Sequence, residues 1–242
     1  MHRVRTMHLF AGAGGGILAD ILLGHQPICA VEINNYCQQD LAQRQKDGVI
    51  PWFPIFDDVT KFDGKPWKGL VDILAGGFPC TDISAARTNN HINGKQRGLD
   101  GEKSGLWSEM ARIIREVEPG GVFVENSGLL TARGINRVLW DLAEMGFNAK
   151  WGVLSGGHLG APHERERLWI VASHPDRPQF KGGGLPGGIH QEHTNISDLG
   201  WWENTPEFHR MDDGVAFGLD RLKAIGNGQI PIVAATAFEI LK

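Results

Sequence analysis

Short apolar runs alternate with stretches of helical periodicity along the first 173 residues of the chain. The apolar run at residues 6–10 leads directly into the glycine-rich segment 11–16, after which apolar residues recur at helical spacing. A second apolar run at 27–33 precedes a segment of helical composition at 34–48. The pattern predicts two successive units of strand, turn and helix.

The same alternation continues to residue 173. Apolar runs typical of buried strands occupy residues 70–77, 120–126, 147–154 and 167–173, and helices are predicted at 106–119 and 135–146. Strands that alternate with helices imply an open, mostly parallel sheet with helices on both faces. We therefore predict an α/β fold with a doubly wound sheet. Because ligands of such sheets bind at the carboxyl ends of the strands, the residues that follow the strands are the candidates for chemistry.

Two segments interrupt the alternation. Residues 85–104 are polar and without periodicity, which is typical of a lid or a binding loop. Residues 174–221 are rich in Gly, Pro, His and Trp and carry eight acidic residues against four Lys or Arg, so they do not form a basic DNA-binding arm. After them, a glycine turn and a helix at 222–242 are expected to return to the sheet. The sequence thus predicts a main domain at 1–173, a small irregular appendage and a C-terminal helix.

Composition narrows the class of protein. The 242 residues are 41% hydrophobic and 21% charged, which is ordinary for a globular chain and excludes broad disorder. Without a long apolar run or the apolar core of a signal peptide, we expect a cytoplasmic protein with no membrane contact. The formal charge of −4 provides no global basic field, so contacts with phosphate must come from local clusters.

The segment AGAGGG between the first strand and helix has two interpretations. It is either a turn that approaches a cofactor or a tight turn that lets the helix pack, and it lacks the spacing of a dinucleotide fingerprint or a P-loop. Glu32 ends the second strand, where an acidic side chain can accept hydrogen bonds from ribose hydroxyls. Asp58 could bind the amino group of an adenine in the same way. Together the two acids indicate an adenosine pocket.

Cys80 lies in the turn AGGFPCTDIS, after a predicted strand. On its own it is either a nucleophile or a small buried residue; backbone amides or cations beside the turn could lower its pKa. Glu125 ends the next strand. Arg165 and Arg167 alternate in RERL, so we expect them to share a strand and point the same way, with pairing to neighbouring glutamates as the alternative.

Five motifs occur in the order found in the DNA (cytosine-5)-methyltransferases: the glycine turn, GGFPCTDIS, VFVENS, HERERLWIVA and AIGNGQIP. Over nearly its whole length, the chain resembles a compact member of this family, of bacterial or phage type. The resemblance implies a Rossmann-like, class I S-adenosylmethionine-dependent fold. It also implies methyl transfer from S-adenosylmethionine to carbon 5 of cytosine in duplex DNA, with S-adenosylhomocysteine as product.

The resemblance also implies the catalytic residues. Carbon 5 of cytosine is a poor nucleophile, so an enzyme can first add a thiolate to carbon 6, and Cys80 is the residue that matches. Glu125 matches the position that holds ring nitrogen 3 and the exocyclic amine, and burial should raise its pKa. Arg165 and Arg167 are expected to reach the base carbonyl, the phosphate or Glu125.

The remaining expected site residues bind the cofactor and the DNA. The matching cofactor positions are Phe10, Gly12, Gly14, Glu32, Asp58, Pro79 and Asn227. Extruding the base from the duplex costs a few kcal/mol, and residues 85–104 resemble the mobile loop that acts in this step. The expected nucleic-acid contacts are Ser84, Lys95, Arg97 and Arg210. Residues 1–173 are then the catalytic and cofactor-binding domain and 174–221 a reduced target-recognition region.

Some features depart from the family. Residues 174–221 are shorter than the usual recognition domain, so we expect a short target sequence, or help from the loop, a partner or self-association. His190 and His193 have no further ligands nearby, and no metal is expected. A tRNA cytosine methyltransferase, a modified S-adenosylmethionine as donor and a catalytically inactive nucleic-acid-binding homologue stay open as alternatives. A nicotinamide-dependent dehydrogenase is disfavoured by the glycine spacing.

Overall fold

The computed structural model describes residues 3–79, 105–161, 164–177 and 228–242. Within these residues, seven strands form one sheet. They are β1 (Arg5–Leu9), β2 (Gln26–Val31), β3 (Ile55–Phe56), β4 (Ile73–Gly76), β5 (Gly121–Ser127), β6 (Asn148–Leu154) and β7 (Arg167–Ser173). The helices are α1 (Gly15–Leu22), α2 (Asn35–Lys46), α3 (Leu106–Val117), α4 (Leu130–Arg133), α5 (Ile135–Glu144) and α6 (Pro231–Leu241), with short 3-10 turns at Lys65–Trp67 and Gly157–Leu159.

The strand order is β3-β2-β1-β4-β5-β7-β6. The first five strands of this order are parallel, and β7 runs antiparallel to both of its neighbours. The α/β fold with a mostly parallel, doubly wound sheet is therefore confirmed. The order reverses between β1 and β4, which makes the carboxyl ends of these two strands the expected ligand site.

Both faces of the sheet are covered by helices. On one face, α3 and α5 bury Met110, Ile114 and Leu142 against the alternate residues of β1, β4 and β5. On the other face, α1 and α6 cover Phe123 and Trp169, whose rings stack at 5.5 Å. Burying such large side chains stabilises the fold by about 2–3 kcal/mol each. The sheet is thus held rigidly between two apolar layers.

Helix α6 returns to the sheet, as the sequence predicts. Its Phe238 is 1% exposed and contacts the ring of Phe123 with 5.4 Å between centroids. The same phenylalanine lies edge-on to His25, which follows α1. The last described segment of the chain therefore completes the apolar layer beside α1.

A buried polar network joins β1 to α1. Asp20 of α1 accepts a hydrogen bond from Thr6 and pairs with His8 Nε2 at 2.5 Å and His25 Nδ1 at 3.1 Å. Burial opposes the charge of Asp20, but the two imidazoles hold the pKa of this carboxyl well below its usual range. The network fixes α1 to the strand that leads into the glycine turn.

One prediction about this fold is wrong. Strand β7 begins at Arg167, which pairs with Ser127, the last residue of β5. Arg165 therefore lies before the strand, because β5 ends and offers no further ladder partner. The two arginines do not alternate along one strand.

Candidate active site

Several strand ends meet at one edge of the sheet. The carboxyl ends of β1, β2, β4 and β5 lie there because these strands are parallel. The amino end of β7 lies at the same edge, because β7 is antiparallel to β5. The glycine turn, Glu32, Pro79, Glu125 and Arg167 are therefore brought to this edge, as the sequence predicts.

The glycine turn after β1 has an unusual backbone. Phe10, Gly12 and Gly14 all have positive φ angles, of 54°, 54° and 86°. A Cβ on Gly14 would come within 2.8 Å of Leu41 Cδ2, whereas a Cβ on Gly12 would meet no atom of the described residues within 4 Å. Gly12 therefore faces open space, which leaves room for a ligand to approach the turn.

Glu32 links the glycine turn to the end of β2. Its Oε2 accepts a hydrogen bond from the backbone N–H of Gly12 at 2.6 Å, and its Oε1 accepts one from Asn34 at 2.8 Å. An ionised carboxylate has about four acceptor sites, so capacity remains for ligand hydroxyls. The predicted contact of Glu32 with a ribose stays a prediction.

Asp58 lies in the turn that follows β3. Its Oδ1 accepts hydrogen bonds from the backbone N–H and the hydroxyl of Thr60, and its Oδ2 pairs with Lys61 at 3.2 Å. These hydrogen bonds and the charge of Lys61 lower the pKa of Asp58. The side chain is held as an acceptor, and its predicted contact with an adenine amino group stays a prediction.

Glu125 and Arg167 form an ion pair in the middle of this edge. Arg167 Nε lies 2.8 Å from Glu125 Oε1. Burial raises the pKa of Glu125, and the two arginines together with Gln229 offset only part of that rise. A raised pKa of Glu125 is what the sequence leads us to expect for a carboxyl that donates a proton near neutral pH.

Arg165 contacts a different part of the molecule. Its guanidinium donates a hydrogen bond to the backbone carbonyl of Gly228, just before Gln229 and α6. The side chain is half-buried. Arg165 therefore joins the segment before β7 to the segment before α6.

The sequence analysis missed two polar residues at this edge. The Gln229 side chain hydrogen bonds to Glu125. Asn126 is 2% exposed and donates from Nδ2 to the carbonyl oxygen of Phe78 at 3.1 Å, which fixes the backbone just before Pro79. The available signal was that both are polar residues inside quoted motifs, Asn126 in VFVENS and Gln229 in AIGNGQIP.

The chain before Pro79 is anchored to the start of α3. The rings of Phe78 and Trp107 lie 5.4 Å apart, and Trp107 Nε1 donates to Asp141 Oδ2 at 2.7 Å. Pro79 itself is half-buried. The predicted residues Cys80, Ser84, Lys95, Arg97, Arg210 and Asn227 lie outside the described residues, so their roles stay predictions.

Cys29 is a poor candidate for a nucleophile. It lies on β2 and is fully buried, and burial raises its pKa to about 12. Cys37, on α2, is also buried. In the part of the chain that the structure describes, no group of His, Cys, Asp and Glu could hold a metal ion, and no helix is long and apolar enough to cross a membrane.

Comparison with known proteins identifies relatives of the chain. The family model for the C-5 cytosine-specific DNA methylases matches residues 4–210. The type II methyltransferase M.CviJI of Paramecium bursaria Chlorella virus IL3A is 33% identical over 174 residues, which cover 71% of this chain and 44% of that protein. The type II methyltransferase M.Eco47II of Escherichia coli is 33% identical over 178 residues, covering 71% of this chain and 40% of that protein.

The chain spans less than half the length of these two curated relatives. Among solved structures, the S. pombe Dnmt2 methyltransferase is similar with a TM-score of 0.56 and 15% identity. The similarity covers 87% of this chain and 57% of that one, and it shows a shared Rossmann-like methyltransferase fold.

Proposed function

Because this chain belongs to the C-5 cytosine-specific DNA methylase family, we propose that it transfers a methyl group from S-adenosylmethionine to carbon 5 of cytosine in duplex DNA. The observation that carries the proposal is the ion pair between the buried Glu125 and the half-buried Arg167, at the edge where the glycine turn and Pro79 also lie. The proposed reaction needs a proton donor for the cytosine, a cofactor site and a nucleophile close together. Glu125 is the proposed donor, the glycine turn is the proposed cofactor site, and Pro79 precedes the proposed nucleophile.

The described residues fit S-adenosylmethionine. Gly12 leaves open space above the turn, and Glu32 ends β2 beside it with unused acceptor capacity. We assign the turn to the methionine portion, Glu32 to the ribose and Asp58 to the adenine. When bound, the cofactor supplies a methyl group on a sulfonium that a carbon nucleophile can attack.

Cys80 is the proposed nucleophile. Its thiolate adds to carbon 6 of cytosine, and the electron pair of the 5,6 double bond then becomes available at carbon 5. After carbon 5 has taken the methyl group, a base removes its proton and the carbon–sulfur bond breaks, which restores the ring. The high pKa of Cys29 supports assigning this role to another cysteine.

Glu125 is the residue proposed to bind the edge of the cytosine that carries ring nitrogen 3. Addition of the thiolate places electron density on ring nitrogen 3, which needs a proton or a hydrogen bond at that atom. Burial raises the pKa of Glu125, so its carboxyl keeps a proton to a higher pH than an exposed glutamate does. Arg167 then orients the carboxyl through its contact at Oε1.

We also propose which segments of the chain catalyse the reaction and which recognise the DNA. Residues 1–173 and 222–242 form the catalytic part, and residues 174–221 read the target sequence. Ser84, Lys95, Arg97 and Arg210 contact the nucleic acid, since the net charge of −4 leaves this task to local groups.

The test is a transfer assay with methyl-labelled S-adenosylmethionine and two substrates, a mixed-sequence duplex and tRNA, followed by sequencing that reports modified cytosines. We expect labelled cytosine in the duplex only. Cys80→Ala should abolish transfer and keep S-adenosylhomocysteine binding, whereas Cys37→Ala is the matched control that stays active. Transfer to tRNA alone, or undiminished transfer by Cys80→Ala, would contradict the proposal.

A further inference from the structure

Gln229 lies in a space that three glycines leave open. A Cβ on Gly15 would come within 2.1 Å of the Gln229 carbonyl oxygen, and a Cβ on Gly16 within 2.7 Å of its side-chain Oε1. On the other side, a Cβ on Gly77 would lie 3.2 Å from Gln229 Nε2. One glutamine therefore fills the gap between the start of α1 and the turn after β4.

The amide of Gln229 contacts Glu125. The two side chains are hydrogen bonded, and Glu125 Oε2 would lie 2.5 Å from the same Cβ position on Gly77. Gln229 Nε2 lies on the Glu125 side of the amide, and the hydrogen bond lowers the pKa of the carboxyl, so Nε2 donates to its ionised form. Arg167 contacts Oε1 at 2.8 Å, so the carboxyl is held by two donors, one from the β7 side and one from the α6 side.

The other end of the amide faces β1. Gln229 Oε1 and His8 Nδ1 would lie 2.7 Å and 3.3 Å from the same Cβ position on Gly16. His8 is itself held through Nε2 by Asp20 at 2.5 Å. The backbone before Gln229 is fixed as well, since Arg165 donates to the Gly228 carbonyl. Both the position of Gln229 and the direction of its amide are therefore determined by neighbouring groups.

We propose that Gln229 is a positioning residue for methyl transfer: its amide holds the Glu125 carboxyl in place for the base and ties it to the glycine turn that binds the cofactor. This inference rests on the proposed function. It extends that function to a residue of the AIGNGQIP motif that had no role assigned from the sequence.

The contact with Gln229 also affects the pKa of Glu125. The charged groups that act on this carboxyl among the described residues are Arg167 and Arg165, and both lower its pKa, as does the hydrogen bond from Gln229. Removing the amide donor therefore raises the Glu125 pKa further. Placing a second carboxyl at position 229 raises it more, because two neighbouring carboxylates cannot both ionise easily.

The test compares Gln229→Met and Gln229→Glu with the full-length wild-type chain. Gln43→Met is the matched control, because Gln43 Nε2 also donates to a carboxylate, Asp47 Oδ1 at 2.8 Å, but on an exposed part of α2. The Glu125 pKa is read by carbon-13 NMR of chains labelled at the glutamate carboxyl, with Glu125→Gln to assign the signal. Single-turnover transfer to duplex DNA and binding of S-adenosylhomocysteine are measured on the same chains.

We expect the Glu125 pKa to rise in Gln229→Met and to rise further in Gln229→Glu, with no change in Gln43→Met. The single-turnover rate of Gln229→Met should fall on the order of tenfold to a hundredfold, as for loss of a hydrogen bond to a charged group. An unchanged Glu125 pKa in both variants would overturn the proposal, even if their melting temperatures fell. A shifted pKa with an unchanged transfer rate would overturn it too.

Failure of the proposed function gives a different result. In that case, the wild-type chain transfers no methyl group to the DNA duplex. The titration still decides whether Gln229 holds Glu125: a response of the pKa supports this part of the inference and an unchanged pKa overturns it.

Discussion

Burial makes ionisation of the Glu125 carboxyl unfavourable, although two arginines act on it. Its carboxyl is buried, where water does not stabilise the ionised form, and Arg167, Arg165 and the hydrogen bond from Gln229 offset only part of the loss. A structural ion pair would be expected to lower the pKa of the acid. A raised pKa is common among acids in active sites, which agrees with the role proposed for Glu125.

This raised pKa predicts how the stability of the protein depends on pH. Above its ordinary pKa of 4.5, Glu125 loses its proton in the unfolded chain and keeps it in the folded one. Stability therefore falls as the pH rises from that value through the folded-state pKa, and Glu125→Gln should remove this contribution. We expect the difference in unfolding free energy between wild type and Glu125→Gln to shift in favour of the variant over that interval and to be constant below it.

Urea denaturation of the two proteins at a series of pH values measures the difference. Glu144→Gln, an exposed substitution at the end of α5, is the control and should give a curve parallel to that of the wild type. Parallel curves for Glu125→Gln would instead show that burial does not dominate the titration of this carboxyl.

At the scale of elements, two glycines allow the role of the glycine turn after β1 to be tested. They separate the effect of backbone strain from the effect of contact with a ligand. Gly12 and Gly24 both have positive φ, 54° and 71°, and a Cβ on either would meet no atom within 4 Å in the part of the chain that the structure describes. Gly12 lies at the proposed cofactor site, whereas Gly24 lies before β2, at the opposite edge of the sheet. The two positions form a matched pair.

We expect Gly12→Ala and Gly24→Ala to lower the unfolding free energy by similar amounts, about 1–2 kcal/mol, since both place a side chain in the left-handed region. Only Gly12→Ala should weaken S-adenosylhomocysteine binding, by about tenfold, which corresponds to about 1.4 kcal/mol. Isothermal titration calorimetry measures the binding. Equal affinities of the two variants would place the ligand away from this turn.

The elements that the sequence predicts well are those long enough to show a period or an apolar run. Strands such as β5 and β7 and helices such as α3 are of this kind. Strand β3 has two residues and α4 has four, which is too short for any pattern. The apolar run 167–173 matches β7, whereas the alternation of Arg165 and Arg167 wrongly suggested a longer strand, for which β5 offers no further partner.

The same limit applies to the candidate site. Motifs placed Glu125 and Arg167 at strand ends, and the parallel sheet brings strand ends together. The roles of Gln229 and Asn126 arise from contacts with Glu125 and Phe78, which are distant along the chain. No local pattern encodes such a contact, because it depends on the order of the strands and on the position of α6.

At the scale of the whole molecule, α6 determines whether the site is complete. Phe238 packs against Phe123 of β5 and His25 near α1, and Gln229 precedes the same helix. We expect Phe238→Ala to lower the unfolding free energy by about 3–5 kcal/mol, as for other buried aromatic residues. Ile240→Ala, on the same helix but 63% exposed, should change it by less than about 0.5 kcal/mol.

Equilibrium denaturation monitored by tryptophan fluorescence checks both values, since Trp169 stacks on Phe123. Similar losses for the two variants would mean that α6 is held by its helical structure rather than by the packing of Phe238.

The position of α6 also has a consequence for synthesis of the chain. Every strand of the described sheet lies before residue 174, whereas the helix that covers Phe123 and Trp169 comes after residue 230. On the ribosome, the sheet can therefore pair before α6 has joined α1 on its second apolar face. Until residues 231–241 emerge, Phe123 and Trp169 lack the packing of Phe238 and its neighbours, and the Glu125 carboxyl stays without its glutamine partner.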